Sequence, residues 1–489
     1  MRTIRISTVL TFAPLALAAL AFGVTSGVGC GGNGTGSNFG GGDDASAGGG
    51  DGSGGDGSGD DSDIPSFGDG GEASTACVNL QCQIDHCSPG SETTVSGTVY
   101  DPAGVNPIYN VIVYVPNTKP DPFKEGITCD KCGALTTGSP VVTTLTGSDG
   151  KFSLKNVPTG MSIPLVMQIG KWRRQITIPN VASCTETKLT DKNLTRLPKN
   201  KAEGDIPRMA ITTGSCDPFE CLLRNIGVAD SEFTDPTGDG RIHLYAGSGG
   251  SNITGSTFTA PNLWSNPTTM AKYDIEINAC ECSEVPSEKP QGSINNVVDY
   301  ANKGGRLFTT HYHYYWIDPQ VVTPGATDPW IHTANFQQEA SANTMPITTV
   351  NTSFPKGAAF ADWLVTVGAS TTRGKLPVSD ARYNALSVNA PSLLWLTAPA
   401  DPNAFPQPTP EMVMHYTFNT PVGVPDDQQC GKVLFSDFHV AGSNPHGNFP
   451  AECAGNTFTP QQKALEFMLF DLSSCIQKDT DPPKPPPPK

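Results

Sequence analysis

Positive charge is scarce in this chain: 31 Lys and Arg stand against 47 Asp and Glu, for a formal charge of −16 and a pI near 4.9. Phosphate-rich partners would be repelled, which argues against nucleic acid as a ligand. No H-E-x-x-H occurs, so the helical zinc-peptidase arrangement is missing. No G-x-C-x-G occurs either, so that motif's cysteine elbow is missing. Long apolar runs are missing but for Val9 to Val24, which is short and poorly flanked for a permanent membrane span. Cysteine, by contrast, is plentiful. Fourteen is a high count for a reducing compartment and ordinary for an exported chain, where disulfides persist.

The N-terminus agrees with export. Arg2 and Arg5 form a basic stretch ahead of the apolar run, and residues 1–29 read as a signal peptide. The run ends at Gly27-Val28-Gly29-Cys30-Gly31, which resembles a lipobox, although Gly27 stands where that family prefers Leu. The resemblance implies lipid on Cys30 and attachment to a membrane. The alternative is an ordinary signal peptide cut near Ala18-Ala19-Leu20-Ala21. Residues 30–75 are almost all Gly, Ser, Asp and Asn. Such a segment buries too little apolar surface to offset its ordering entropy, and it reads as a disordered acidic leash. A Cys-rich connector follows at 76–91. At the other end, the Pro/Lys-rich segment 478–489 favours extended polyproline II and is expected to pack against nothing.

Between these ends lie two folded regions. Residues 92–198 alternate short strands with turns. Val95-Ser96-Gly97-Thr98-Val99 opens the set, and Ser148-Asp149-Gly150 and Pro158-Thr159-Gly160 turn the chain. This spacing predicts a small all-β sandwich. Together with Thr146-Gly147-Ser148-Asp149-Gly150-Lys151-Phe152 and Asn156-Val157-Pro158-Thr159-Gly160, the opening strand resembles the carboxypeptidase regulatory-like domain. The resemblance implies a transthyretin-like sandwich that supports or binds and does not hydrolyse peptides. Lys171-Trp172-Arg173-Arg174 sets an aromatic among three cations, either to hold an anionic glycan or to decorate a strand's solvent face.

From 204 to 477 strands alternate with helices. Strands are expected at Met209–Thr213, Tyr273–Ala279, Arg306–Thr310, Met412–Phe418 and Lys432–Ser436. Helices are expected after Asp217, after Ser293, within Phe354–Thr366 and after Thr459. Asp217 reads as an N-cap with Glu220 closing its capping box. This alternation predicts a three-layer α/β domain with a largely parallel sheet. Tyr273-Asp274-Ile275-Glu276-Ile277, the helix end Tyr300 to Arg306, the strand end Thr310-His311 and Gly431 to His439 resemble the class I glutamine amidotransferase-like superfamily, its ThuA-like branch in particular. The resemblance implies a nucleophile elbow after a strand, but here that position reads Thr310-His311-Tyr312. The downstream His-x-Glu is missing too, because Val440-Ala441 follows His439. Glutamine hydrolysis is not expected.

What survives is a histidine cluster. His311 and His313 are two apart, as are Asp437 and His439, and each pair begins where a strand ends. Ligands of α/β sheets bind beyond the carboxyl ends of strands, and these four side chains suit a divalent metal or acid–base work. The plainer alternative is an aromatic loop, His311 to Trp316, packing under a lid. The remaining cysteines, Cys77, Cys82, Cys87, Cys129, Cys132, Cys184, Cys216, Cys221, Cys280, Cys282, Cys430, Cys453 and Cys475, are expected in disulfides, and the C-x-x-C at Cys129 and Cys132 is read the same way. With Cys30 lipidated, thirteen thiols remain, so at least one is left without a partner in the chain. The sequence reads as an exported, surface-tethered binding or structural protein with an envelope glycan or protein as ligand. The rival is an exported metal-assisted hydrolase acting on carbohydrate.

Overall fold

The computed structural model describes residues 77–338, 345–400, 411–441, 447–453 and 458–489. The signal segment, Cys30 and the acidic leash lie outside the described residues. From Thr75 onward the chain is one compact unit.

Seven strands come first: β1 (Thr94–Thr98), β2 (Ile112–Pro116), β3 (Pro140–Leu145), β4 (Lys151–Lys155), β5 (Gly160–Ile169), β6 (Trp172–Val181) and β7 (Glu186–Leu189). They make a three-stranded sheet, β4-β1-β7, and a four-stranded sheet, β3-β2-β5-β6. Alternate residues of β2 point opposite ways, as a period of two requires. Val113 and Val115 enter the main core with Val95, Phe152 and Leu165, while Ile112 and Tyr114 pack with Val166 on the other face. A short helix, α1 (Lys192–Thr195), capped by Asp191, leads onward.

The second half runs β8 (Met209–Thr213), α2 (Phe219–Asn225), β9 (Phe233–Thr234), β10 (Ile242–Ala246), β11 (Asn252–Ile253), α3 (Ala260–Trp264), α4 (Pro267–Met270) and β12 (Ile275–Asn278). It continues through α5 (Gln291–Asn302), β13 (Arg306–Thr310), β14 (Ala334–Phe336), β15 (Ile347–Val350), α6 (Pro355–Thr366), β16 (Lys375–Pro377) and β17 (Ala385–Val388). Last come β18 (Leu393–Pro399), β19 (Glu411–Thr420), β20 (Gly431–Ser436), β21 (Asn448–Phe449) and α7 (Pro460–Ser473). Ten of these strands form one sheet, in the order β16-β15-β18-β19-β20-β13-β12-β8-β10-β9. From β20 to β9 every pair is parallel. From β16 to β20 every pair is antiparallel. The sheet is therefore mixed and not largely parallel. The antiparallel half escaped the sequence pattern because α6 lies between β15 and β16 like the helix of a parallel crossover, yet it joins antiparallel neighbours. On one face Met209, Ile211, Ile277 and Leu434 pack with α2, α6 and α7. On the other, Ala210, Leu307, Val433 and Phe435 pack with α3, α4 and α5.

The sandwich docks on the α7 side, where its core merges with that of the sheet. Gly170, in the turn between β5 and β6, has φ +54, and a Cβ there would fall 1.8 Å from the Ser473 carbonyl oxygen. Lys171 and Trp172 follow. Lys171 Nζ lies 2.6 Å from Asp274 Oδ1, Trp172 is fully buried, and Arg173 pairs with Asp205 at 2.9 Å. The Lys-Trp-Arg run thus joins the two regions, and its aromatic is neither glycan platform nor surface decoration.

The C-terminal segment also departs from expectation. Lys489 N donates to Pro140 O at 2.8 Å and Thr143 Oγ1 donates to Pro486 O, so the prolines run beside β3. Proline has no N–H and suits a strand edge, since it covers the edge without extending the sheet. Ahead of it, buried Asp479 lies 2.5 Å from Lys432 Nζ and 3.0 Å from Lys356 Nζ, and Asp471 lies 2.8 Å from Lys356. Two buried lysines need two carboxylates, and one of these arrives with the tail.

Six disulfides link described cysteines: Cys77–Cys82, Cys87–Cys184, Cys129–Cys430, Cys132–Cys475, Cys216–Cys282 and Cys221–Cys453. The C-x-x-C does not close on itself, because each of its sulfurs crosses from the sandwich region to the α/β region. This number of bridges suits an oxidising, extracellular environment. Among the described residues no helix is long and apolar enough to cross a membrane.

Candidate metal centre

Four parallel strands, β20, β13, β12 and β8, lie side by side, so the loops at their carboxyl ends are neighbours. Cys280 follows β12, His311 follows β13, His439 follows β20 and Asp217 follows β8. Close approach of these loops depends on Gly214, where a Cβ would lie 2.0 Å from the Cys280 carbonyl oxygen. The Cys216–Cys282 bridge then ties the β8 and β12 loops together.

His311 leaves β13 with φ +43, in the left-handed region that a non-glycine residue occupies at a cost of about 1–3 kcal/mol. Residues His311–Trp316 coil into a 3-10 turn. The chain therefore bends sharply there, with an imidazole at the strand end. His311 Nδ1 lies 3.1 Å from Cys280 Sγ and 3.0 Å from His439 Nε2. Cys280, His311 and His439 are each at most 2% exposed, and their three donor atoms lie within 4.8 Å of one another.

The surroundings fix this triangle. His439 Nδ1 faces Asp380 Oδ2 at 2.7 Å, and Arg382 Nη2 lies 3.0 Å from Asp380 Oδ1. From α7, Gln461 Nε2 donates to His439 O at 2.8 Å. Cys280 N donates to Thr310 Oγ1 at 3.1 Å, and Thr310 Oγ1 donates to Asp217 Oδ2 at 2.6 Å. Asp217 Oδ1 accepts Val440 N at 2.6 Å, so this one carboxylate joins three loops. Asp217 is not the cap of α2, whose N-cap position is Pro218. Glu220 is wholly buried in that helix, and burial pushes its carboxyl up to about 8.

Burial alone would raise the Cys280 thiol, but the adjacent His311 and His439 rings outweigh it and hold the thiol well below its ordinary range. Burial works to lower His439 as well. The Cys280 sulfur and the Asp380 carboxylate overcome it, raising the imidazole to about 10. With a proton as the shared cation, the centre is a thiolate–imidazolium pair.

The three donors are also a set that can hold a metal ion. His311 Nδ1 carries one hydrogen or one lone pair, yet it meets both Sγ and Nε2 at hydrogen-bond distance. One ion at the middle of the triangle uses all three lone pairs. Tetrahedral zinc, with bonds near 2.0–2.3 Å, sets such donors roughly 3.3–3.6 Å apart, so the triangle needs to open by a few tenths of an ångström. Asp380 behind His439 is the carboxylate–histidine arrangement that fixes a ligand's tautomer.

Of the residues the sequence pattern nominated, only His311 and His439 meet. His313 Nε2 faces the Ala279 carbonyl oxygen at 2.9 Å and its Nδ1 accepts Trp316 Nε1 at 3.0 Å, so both nitrogens are engaged elsewhere. Asp437 Oδ2 accepts Ala385 N at 2.8 Å, toward β17. Residues two apart share a direction only in extended chain, and His311 ends the extended chain. Cys280 is corrected from disulfide to free thiol. The other twelve described cysteines are bridged, and no further sulfur is left for it among the described residues. Cysteine parity had pointed to a leftover thiol without saying which. Asp380 carried no signal, because it comes from the loop after β16. A second group of possible ligands, Cys221, Glu452 and Cys453, loses both sulfurs to a disulfide.

No family model matches the chain, and no curated protein matches it. Among solved structures, it is similar to a ThuA-like protein from Bacteroides uniformis, at 12% identity over 54% of this chain and 90% of that one, with a TM-score of 0.29. A cytoplasmic protein from Salmonella typhimurium matches at 9% identity over 55% and 98%, also with a TM-score of 0.29. A cohesin–X-dockerin complex from Acetivibrio cellulolyticus matches at 17% identity over 26% and 78%, with a TM-score of 0.15. These likenesses are slight, and the functional reading rests on the residues of this chain.

Proposed function

We propose that this chain is an exported protein, held at the cell surface by lipid on Cys30, whose α/β region binds one divalent transition metal. Zinc is the first candidate, held by Cys280 Sγ, His311 Nδ1 and His439 Nε2. The carrying observation is the meeting of these three donors beyond three adjacent strand ends, with Asp380 behind His439. A thiolate with two imidazoles favours zinc over magnesium or calcium, which take oxygen ligands. The sandwich serves as support. The region binds without turnover, in keeping with His311 at the elbow where the amidotransferase-like resemblance calls for a nucleophile.

A second reading, metal-assisted hydrolysis, draws on one observation. Three protein ligands leave a fourth position, as in catalytic zinc sites. Elemental analysis of the purified, zinc-loaded protein tests the first reading. One equivalent of zinc is expected, lost in Cys280→Ser and in His439→Ala while circular dichroism stays native. Zinc retained in both variants, or none taken up by the native protein, would refute the centre. Zinc-dependent cleavage of chromogenic glycoside or ester substrates would favour the hydrolase over the binding reading.

A further inference from the structure

Away from the metal centre, an open groove of about 690 Å³ lies against α3 and α4, within the size range of small-molecule sites. Arg208, Tyr245, Phe258, Asn262, Asn266 and Lys272 line it together with Tyr273. Its chemistry is one-sided. Asn262 Oδ1 accepts Thr259 N at 2.8 Å and Asn266 Oδ1 accepts Thr269 N at 3.0 Å, each at the start of a short helix. Their acceptors are committed, and the two exposed carboxamide NH₂ groups remain as donors. Among the described residues, neither the Arg208 guanidinium nor the Lys272 ammonium has a hydrogen bond or ion pair. That contrasts with Lys171, Arg224, Lys289, Lys356 and Lys432, which all hold carboxylates.

In a chain of net charge −16, two unpaired cations and two amide donors on one groove are a local reversal of sign. The walls add flat surface. Arg208 sits 5.6 Å from the Tyr273 ring centre, and half-buried Phe258 stands edge-on to Tyr245 at 6.2 Å. Beneath them Tyr245 Oη and Tyr273 Oη are 2.9 Å apart, and His243 Nδ1 lies 2.7 Å from Tyr273 Oη, so the floor is a fixed hydroxyl pair.

We infer that this groove binds a carboxylate-bearing saccharide. The carboxylate pairs with Arg208 and Lys272, ring hydroxyls accept from Asn262 and Asn266, and the apolar face of a sugar ring rests on Phe258. A bare phosphate would satisfy the cations and leave the aromatic wall unused. The groove shares no residue with the metal centre, so the two can be tested separately.

Isothermal titration of the intact chain with trigalacturonic acid, maltotriose and inorganic phosphate tests it. Trigalacturonic acid is expected to bind, with affinity falling as salt rises. Arg208→Gln with Lys272→Gln, and separately Phe258→Ala, are each expected to weaken it by about tenfold or more. All three positions are exposed or half-buried, and an unchanged Tm shows that the variants fold. Maltotriose and phosphate are expected not to compete. No binding of trigalacturonic acid at millimolar concentration, equal competition by phosphate or maltotriose, or binding indifferent to the substitutions would each overturn the inference.

Discussion

β20 is held by a disulfide and ion pairs at one end and carries the candidate metal centre at the other. It starts beside Cys430, bridged to Cys129, with Lys432 buried between Asp471 and Asp479. Three residues beyond its last, His439 meets His311 and the unbridged Cys280. β13 repeats the contrast. It starts at Arg306, whose guanidinium donates to the Cys430 and Ser474 carbonyl oxygens, and ends at the strained His311. The charged groups gathered at the amino end, Lys356, Lys432, Asp471 and Asp479, are paired with one another, so removing one strands another. If the amino end is a stabilising seam and the carboxyl end the proposed metal centre, substitutions at the two ends should read out in different measurements.

The largest effect belongs to the seam. Asp479→Asn leaves Lys356 and Lys432 to share Asp471 and is expected to cost about 3–5 kcal/mol in urea unfolding. Burial would raise the Asp479 carboxyl, but Lys356 and Lys432 outweigh it and hold it below the ordinary range. A carboxyl lowered in the fold contributes stability that is complete above its unfolded pKa and is lost as pH falls through its folded value. The difference between native protein and variant should therefore be full at neutral pH and shrink only in strong acid. A constant difference down to pH 1 would remove the ion cluster from the account.

Next comes the covalent part of the seam. Cys132→Ser with Cys475→Ser removes a bridge spanning 343 residues of sequence and is expected to cost about 2–4 kcal/mol, read as a lower urea midpoint. Zinc content should stay at one equivalent, because neither cysteine is near the centre. Loss of metal along with stability would mean that the two ends are not separable.

The smallest effect on stability and the sharpest on binding belong to the proposed metal centre. Asp380→Asn removes the charge behind His439 and keeps its shape. Zinc affinity is expected to fall about 10–100-fold in competition with a chelator dye, with little change in urea midpoint. Unchanged affinity would sink the carboxylate–histidine role.

Much of the fold was legible in local pattern. The span of β13 matches the sequence reading, and Thr459 caps α7 through a capping box with Gln462. Strand alternation and cap chemistry are set by neighbours in sequence, so they can be read from it. The site was half legible. His311 and His439 could be found because strand ends in an α/β sheet are places where ligands gather, and β13 and β20 are indeed adjacent. His313 and Asp437 were included by an extended-chain rule that fails once the backbone turns at His311.

Composition determined that this chain is acidic and cysteine-rich, and local pattern that a strand-rich region is followed by an alternating one. Only the tertiary structure decided which cysteine stays a thiol, because pairing depends on which sulfurs come within bonding reach after folding. It also decided that Asp380 stands behind His439, 59 positions away in sequence, and that a proline-rich tail delivers Asp479 to two buried lysines. The physical reason is the same in each case. Periodicity and capping act over a few residues, whereas a metal cage, a disulfide and a buried ion pair need groups from distant strands within about 4 Å of each other, a distance that only packing sets.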